Sequence, residues 1–224
     1  MRHASPVATA EQSYQAFKKS VQQSRDLVSA TATLPALQHN LVYELSFLRA
    51  VIAWEALVEE VFVTYLLRRP TRSGARLPSR LPARAVNKAG GSGGITVQMA
   101  GEILTGDRKF SDWLLEATVK ERAKKWFPGD ATFANAYAKF VDPLGRTHVK
   151  PFDDIVVVRN RIAHSSGTAA AKFSVLRARE VVNAGERHGM GPGQFLRRAH
   201  QPAGSSWFEV YLSLMEDAAD QLTA

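Results

Sequence analysis

A stripe of large apolar residues between residues 40 and 67 limits the folds open to this chain more than any other feature. Its members recur at alternating spacings of four and three, and they are Phe47, Val51, Trp54, Val58, Val61 and Tyr65. This spacing places all six on one face of an α-helix, which at about 1.5 Å per residue is roughly 40 Å long. The face is widened by Leu45, Leu48, Ile52, Phe62 and Leu66. So long an apolar face needs other elements to cover it, which predicts a helical bundle.

Helical signals recur along the rest of the chain and predict an all-α fold with a long central helix, an extended basic loop and additional short helices. Ser111 is a candidate N-cap, and Pro128 with Gly129 marks a helix end. We treat residues 1–224 as a single domain. Residues 185–204, which hold five glycines and two prolines, are predicted to form a loop. The helices predicted beside the central one cover about residues 11–30, 96–104, 111–127, 131–140, 151–164, 174–184 and 206–222.

The segment 151–164 carries mixed signals, and the helix is favoured. Pro151 suits a first helical position, while Asp153 and Asp154 suit the positive end of a helix dipole. Residues 165–167 supply a stop. The β-branched run 155–158 is also compatible with a buried strand. We find no convincing partner strand elsewhere, so we predict a helix.

Composition excludes several classes of function. The chain has no cysteine, which removes disulfides, thiolate nucleophiles and zinc-thiolate sites. The histidines outside segment 151–164 show no metal-ligand spacing, so we expect neither a metal nor another cofactor. The run 90–94 formally fits a Gly-x-Ser-x-Gly nucleophile turn, but no strand precedes it, and a flexible linker is the better interpretation. The most hydrophobic window, 41–67, contains five charged residues, and no secretory signal is evident. We therefore expect a cytoplasmic protein without a membrane partner.

Most of the net charge of +8 comes from one segment. No acidic residue occurs between Val61 and Gly101, and prolines and glycines interrupt this stretch, which predicts an extended loop insertion at about 68–95. An arginine-rich loop suits a polyanion such as RNA. A solvated surface loop is the equally plausible alternative. The basic residues concerned are Arg68, Arg69, Arg72, Arg76, Arg80, Arg84 and Lys88.

The strongest chemical signal is the set Arg159, Asn160 and His164 at the end of the predicted helix 151–164. An arginine keeps its charge and grips phosphate oxygens with a planar fork. A histidine, with an unperturbed pKa of about 6.5, exchanges protons near neutrality. Asn160 and His164 are four residues apart and share a helix face. Arg159 is about 140° from His164 around an ideal helix, so the two converge only if the arginine reaches over or the helix end loosens.

These residues resemble the signature of the HEPN superfamily, the higher eukaryotes and prokaryotes nucleotide-binding domains. The family pattern is Arg-x4-6-His with a polar residue after the arginine, and Arg159, Asn160 and His164 match it. The helix 49–60, with acidic residues embedded among apolar ones, resembles the long helix of these domains. The resemblance covers about residues 40–67 and 150–185 and is closest to the RiboL-PSP and MAE-like bacterial nucleases. It implies a HEPN-like bundle that dimerises with the motif at the interface.

The resemblance implies metal-independent RNA cleavage by a toxin or phage-defence effector. In that interpretation His164 deprotonates a ribose 2′-hydroxyl, Arg159 stabilises the phosphoryl charge, and Asn160 orients either group. The product is a 2′,3′-cyclic phosphate, and DNA is spared. One such histidine per chain predicts a homodimer, and an antitoxin or other neutralising protein is a further expected partner.

Other residues receive weaker expectations. Glu55 and Glu59 fall within the apolar stripe and are candidates for positioning Arg159 or His164. Arg161 is predicted to lie on the surface or to contact phosphate. The alternatives are a histidine satisfied by local carbonyls and an arginine in a buried salt bridge to Glu55 or Glu59. At the level of function, the alternatives are a non-catalytic HEPN module that binds nucleic acid, a nucleotide or a protein, and a structural helical scaffold.

Overall fold

The predicted central helix is the longest element of the structure. A computed structural model describes residues 8–81, 113–141, 147–149, 151–181, 184–200 and 204–224. The central helix, α2 (Ala36–Leu66), spans 31 residues. It packs along α1 (Ala10–Ala30), which begins at Thr9 through a capping box with Gln12. The predicted helices 11–30 and 40–67 are therefore confirmed to within a few residues.

The remaining described elements are shorter than α2, and the helices at 151–163, 192–197 and 207–223 pack against it. The all-α prediction is confirmed, with one small antiparallel hairpin added to the helices. Among the described helices, none has the length and apolarity needed to cross a bilayer. In chain order the elements are α3 (Glu116–Trp126), α4 (Thr132–Ala136), β1 (Lys139–Val141), β2 (Thr147–Val149), α5 (Pro151–Ala163), α6 (Gly167–Glu180), α7 (Ala184–Arg187), α8 (Pro192–Arg197) and α9 (Trp207–Thr223).

The core is centred on Trp54 of α2, which is completely buried. Its ring centroid lies 6.0 Å from that of Phe17 on α1 and 4.9 Å from that of Phe152 on α5. Tyr137, which follows α4, lies at 5.6 Å. One indole therefore joins three elements that are far apart in the chain. Aromatic pairs at these distances add about 0.5–1.5 kcal/mol each to the burial of their area.

Several predicted boundaries are wrong, and local capping explains part of the shift. The helix predicted over 111–127 begins at Glu116, so Ser111 is not its N-cap. The helix predicted over 131–140 ends at Ala136, because the chain turns there into β1. The helix predicted over 174–184 spans Gly167–Glu180, since Ser166 caps it by accepting a hydrogen bond from the Ala169 amide. The helix predicted over 96–104 lies outside the described residues.

The apolar stripe on α2 is wider than the surface that the other elements cover. Its six principal members are buried, as are Phe62 and Leu66. In contrast, the side chains of Leu45 and Ile52 are each 63% exposed. These two residues widen the apolar face of the helix but do not join the core, because no described element packs over that side of α2.

The first half of the predicted basic loop is a packed part of the fold. Leu67, Leu77 and Leu81 are buried. The amide of Arg80 donates to the carbonyl of Trp126, which attaches the loop to the end of α3. This segment is rich in prolines and arginines, yet it packs against the rest of the protein. It does so because the apolar residues between its charges are buried.

A cluster of charged residues joins α9 to α1. The guanidinium of Arg25 donates to both Glu209 and Glu216, and Lys18 also binds Glu216, at 2.7 Å. Burial works to raise the pKa of the Glu216 carboxyl, but the hydrogen bonds and charges of Arg25 and Lys18 outweigh it and lower that pKa. The carboxylate therefore stays ionised and holds the two helices together at neutral pH.

The region 185–204 is wrongly predicted as a simple loop. It contains α7 and α8, and α8 lies directly on α2. The amide of Gly193 donates to the Glu44 carboxylate at 2.8 Å. A Cβ placed on Gly193 would lie 2.9 Å from the Cα of Asn40 and would overlap its carbonyl group. Only glycine permits this close approach of the two backbones.

We expect Gly193→Ala to destabilise the protein by about 1–3 kcal/mol, because the methyl group would have to displace the backbone of α2. For a chain of this size the thermal midpoint would fall by about 2–4 °C per kcal/mol. Differential scanning calorimetry measures this shift. Gly167→Ala is the matched control, since its Cβ would meet nothing within 4 Å. Equal midpoints for the two variants would contradict the packing described.

Candidate functional site

The helices α5 and α6 form an antiparallel hairpin that positions the candidate site. Three residues, 164–166, connect them, and the His164 amide donates to the Asn160 carbonyl at 2.9 Å as the last helical bond of α5. At the far end of the hairpin, Arg179 on α6 is paired with Asp154 on α5. The two helices are thus held together at both ends. His164 occupies the residue just after α5, at the negative end of the helix dipole, as predicted.

A cleft of about 520 Å³ lies along this hairpin. Its volume is within the range of small-molecule and nucleotide sites. Its polar lining includes two of the three predicted catalytic residues, and an apolar wall occupies the rest. The residues that line it are Leu115, Asp153, Val156, Val157, Asn160, His164, Ser166, Thr168, Ala169 and Lys172.

Arg159 is connected to this cleft by a hydrogen bond to Asn160. The Nη1 of Arg159 donates to the Oδ1 of Asn160 at 2.9 Å. Both side chains are half-buried, and Asn160 lines the cleft together with the exposed His164. The arginine itself does not line the cleft. Asn160 therefore links the guanidinium of Arg159 to the residues that line the cleft.

The alternative interpretations of His164 and Arg159 find no support in the geometry. Within the described part of the chain, no group hydrogen-bonds to the His164 ring, so local carbonyls do not satisfy it. No described carboxylate pairs with Arg159, which excludes a salt bridge to Glu55 or Glu59. The His164 side chain is exposed and lines the cleft, so a ligand bound there can contact it.

Arg161 contacts the backbone at the C-terminal end of α5. Its Nη1 lies 3.4 Å from the carbonyl oxygen of His164, and its side chain is half-buried outside the cleft. A cation beside the last carbonyls of a helix interacts favourably with the dipole. This contact holds the backbone of His164 and leaves its ring free to face the cleft.

Glu55 and Glu59 do not line the cleft. Glu59 is exposed, and its carboxylate accepts a hydrogen bond from the Trp113 indole at 3.2 Å. Leu115, two residues beyond Trp113, forms part of the apolar wall. Glu59 therefore contacts the segment that leads into this wall and does not contact the cleft itself. Glu55 is half-buried on the same helix.

The basic residues of the segment 68–80 divide into two groups. Arg68 donates to the carbonyls of Ser79 and Leu81, at 2.9 and 2.8 Å, and adopts a positive φ of 56°. Arg72 pairs with Glu11 and Asp220, and its guanidinium lies 3.8 Å from the centre of the Tyr14 ring. These two arginines hold the fold together. Arg69, Arg76 and Arg80 are exposed, whereas Arg84 and Lys88 lie outside the described residues.

Sequence reasoning missed the contribution of α6. Thr168 and Lys172 are four residues apart on one face of that helix and line the cleft opposite α5. The sequence signal for this helix is Ser166, which is a favourable N-cap residue as well as part of the stop of α5. Asp153 was assigned only to the helix dipole, although it also lines the cleft.

The comparisons find no match. Neither protein-family models, nor curated proteins, nor solved structures match this chain. Within the described residues, no group of three histidine, aspartate or glutamate side chains lies close enough together to hold a metal ion.

Because Arg68 anchors the loop and Arg76 is exposed, alanine substitutions at the two positions should differ in their effect on the stability of the fold. We expect Arg68→Ala to lower the free energy of unfolding by about 1.5–3 kcal/mol, because two charge-assisted hydrogen bonds are lost. Arg76→Ala should change it by less than about 0.5 kcal/mol, since its side chain is exposed. Urea denaturation measures both values. If Arg76→Ala were as destabilising as Arg68→Ala, the distinction between Arg68, which anchors the loop, and the exposed Arg76 would fail.

Proposed function

We propose that this protein is a metal-independent endoribonuclease of the HEPN type. The observation that supports this most is the placement of an exposed His164, without a hydrogen-bond partner among the described residues, in one cleft with Asn160, which in turn binds Arg159. The cleft thus offers a proton acceptor and an amide, and the amide is hydrogen-bonded to a permanent cation. Their order and spacing also match the resemblance on which the sequence prediction rests.

Each residue has a defined chemical task in this proposal. The neutral imidazole of His164 removes the proton from a ribose 2′-hydroxyl, whose oxygen attacks the adjacent phosphorus. The bond from phosphorus to the 5′-oxygen breaks, which leaves a 2′,3′-cyclic phosphate and a 5′-hydroxyl after protonation of that oxygen. The Arg159 guanidinium neutralises the charge that builds up on the phosphoryl oxygens. Asn160 orients the guanidinium through the hydrogen bond that its Oδ1 accepts from Arg159.

The biological role that we propose is that of a toxin or phage-defence effector, restrained by a neutralising protein. A neutralising protein would protect the cell that makes the enzyme, since the proposed reaction requires no cofactor whose supply could limit it. The non-catalytic alternative has one supporting observation: Arg159 reaches the cleft only through Asn160 and does not line it.

Cleavage of a labelled RNA in excess chelator tests the proposal. We expect wild type to give products with 2′,3′-cyclic phosphate ends. His164→Ala and Arg159→Ala should each reduce the cleavage rate at least 100-fold, in line with the usual contribution of a general base or a charge-stabilising group. Mass spectrometry of the products identifies their ends, and gel analysis measures the rates.

Two controls make this result specific. His188→Ala removes an exposed histidine outside the cleft and should leave the rate unchanged. An RNA with a single 2′-deoxy substitution should resist cleavage at that position, because the nucleophile is missing. If wild type left RNA intact while binding it, the non-catalytic interpretation would replace the proposed activity.

The proposed mechanism also predicts a dimer. The reaction needs both a base and an acid, and the cleft contains one histidine from the described chain, His164. Light scattering coupled to size exclusion should therefore give twice the chain mass of 24.6 kDa under conditions of activity. A fully active monomer would contradict this prediction, and the proton donor would then have to come from the same chain.

A further inference from the structure

The cleft contains a cation that the proposed mechanism does not use. Lys172 is exposed on α6, one turn beyond Thr168, and no described carboxylate pairs with it. The hairpin is closed at one end by the turn 164–166 and at the other by the pair Asp154–Arg179. An antiparallel arrangement between these limits places Lys172 opposite Asn160. Its ammonium group therefore adds positive charge to the end of the cleft that holds His164.

The rest of the cleft is different in character. Leu115, Val156 and Val157 form an apolar wall, and Leu115 remains 36% exposed. Asp153 lies at the far end, seven residues before Asn160 on α5, which is roughly 10 Å along the helix. A carboxylate there repels a phosphate, so an anionic group is accommodated only at the end with Lys172 and His164. Along the cleft, the lining thus changes from the cation Lys172, through the apolar wall, to the carboxylate of Asp153.

We propose that this cleft binds one nucleotide of single-stranded RNA, with its phosphate at Lys172 and its base against the apolar wall. This inference rests on the proposed function for the identity of the ligand as RNA. The length from Asn160 to Asp153 suits one nucleotide extended from phosphate to base edge. A base reaches an apolar wall only when it is unstacked, which single strands allow and duplexes do not. Lys172 thus binds substrate, and the wall sets the preference for single strands.

Binding of a fluorescent 2′-O-methyl RNA decamer, which lacks the attacking hydroxyl and is not cleaved, tests the inference. Affinity is measured by anisotropy at several salt concentrations. We expect Lys172→Gln to weaken binding and to reduce the slope of log affinity against log salt by about 0.7, the value for one lost phosphate contact with a single strand. Lys172→Arg should restore the slope. Lys19→Gln removes an exposed lysine on α1 and should change neither quantity.

The apolar wall has its own test. Leu115→Ala should weaken binding without a change in salt slope, because the contact that it removes carries no charge. An unlabelled RNA duplex should compete poorly with the decamer, whereas an unlabelled single strand should displace it. Thermal melts of each variant establish that the fold is retained.

The outcomes separate this inference from the proposed activity. An unchanged salt slope in Lys172→Gln, or equal competition by the duplex, would overturn the inference even if wild type cleaves RNA. If Lys172→Gln changes the slope as expected while wild type fails to cleave RNA in chelator, the nucleotide site stands and the proposed activity falls.

Discussion

The burial of Trp54 is the interaction on which the rest of this structure depends. Its indole contacts Phe17, Phe152 and Tyr137, so one side chain of α2 holds α1, the start of α5 and the chain after α4. Burying an aromatic side chain of this size removes a large apolar area from water, which is the main favourable contribution to folding. Since α5 carries the candidate site on its other end, the position of the cleft follows from this contact.

The cleft itself depends on how α5 ends and α6 begins. The helix α5 stops at Ala163, and Ser166 caps the next helix three residues later. So short a connection makes the two helices antiparallel neighbours, and the pair Asp154–Arg179 holds their far ends together. The same turn therefore exposes the His164 ring and brings Lys172 across from Asn160. The proposed chemistry and the proposed nucleotide site are both products of this one hairpin.

Much of the fold was predictable, for identifiable reasons. The stripe on α2 has helical spacing over many residues, and Pro151 with Asp153 marks the start of α5, so these helices were placed to within a few residues. Elements that depend on tertiary contacts were missed. The six-residue helix α8 exists where Gly193 approaches the backbone of α2, and a glycine-rich stretch carries no local signal of such a contact. The exposure of Ile52 was missed because periodicity shows which residues share a helix face and does not show which part of the face is covered.

The amino-acid sequence by itself determined the helical class of the fold and the candidate trio of Arg159, Asn160 and His164, because helix periodicity and residue chemistry are local properties. Only the tertiary structure decided which charges are free to meet a ligand. It ties Arg68 to the carbonyls of its own loop and leaves Lys172 facing the cleft, although both are basic residues in the sequence. The reason is physical: the availability of a charge depends on the groups that surround it, and distant segments of the chain supply those groups only after folding.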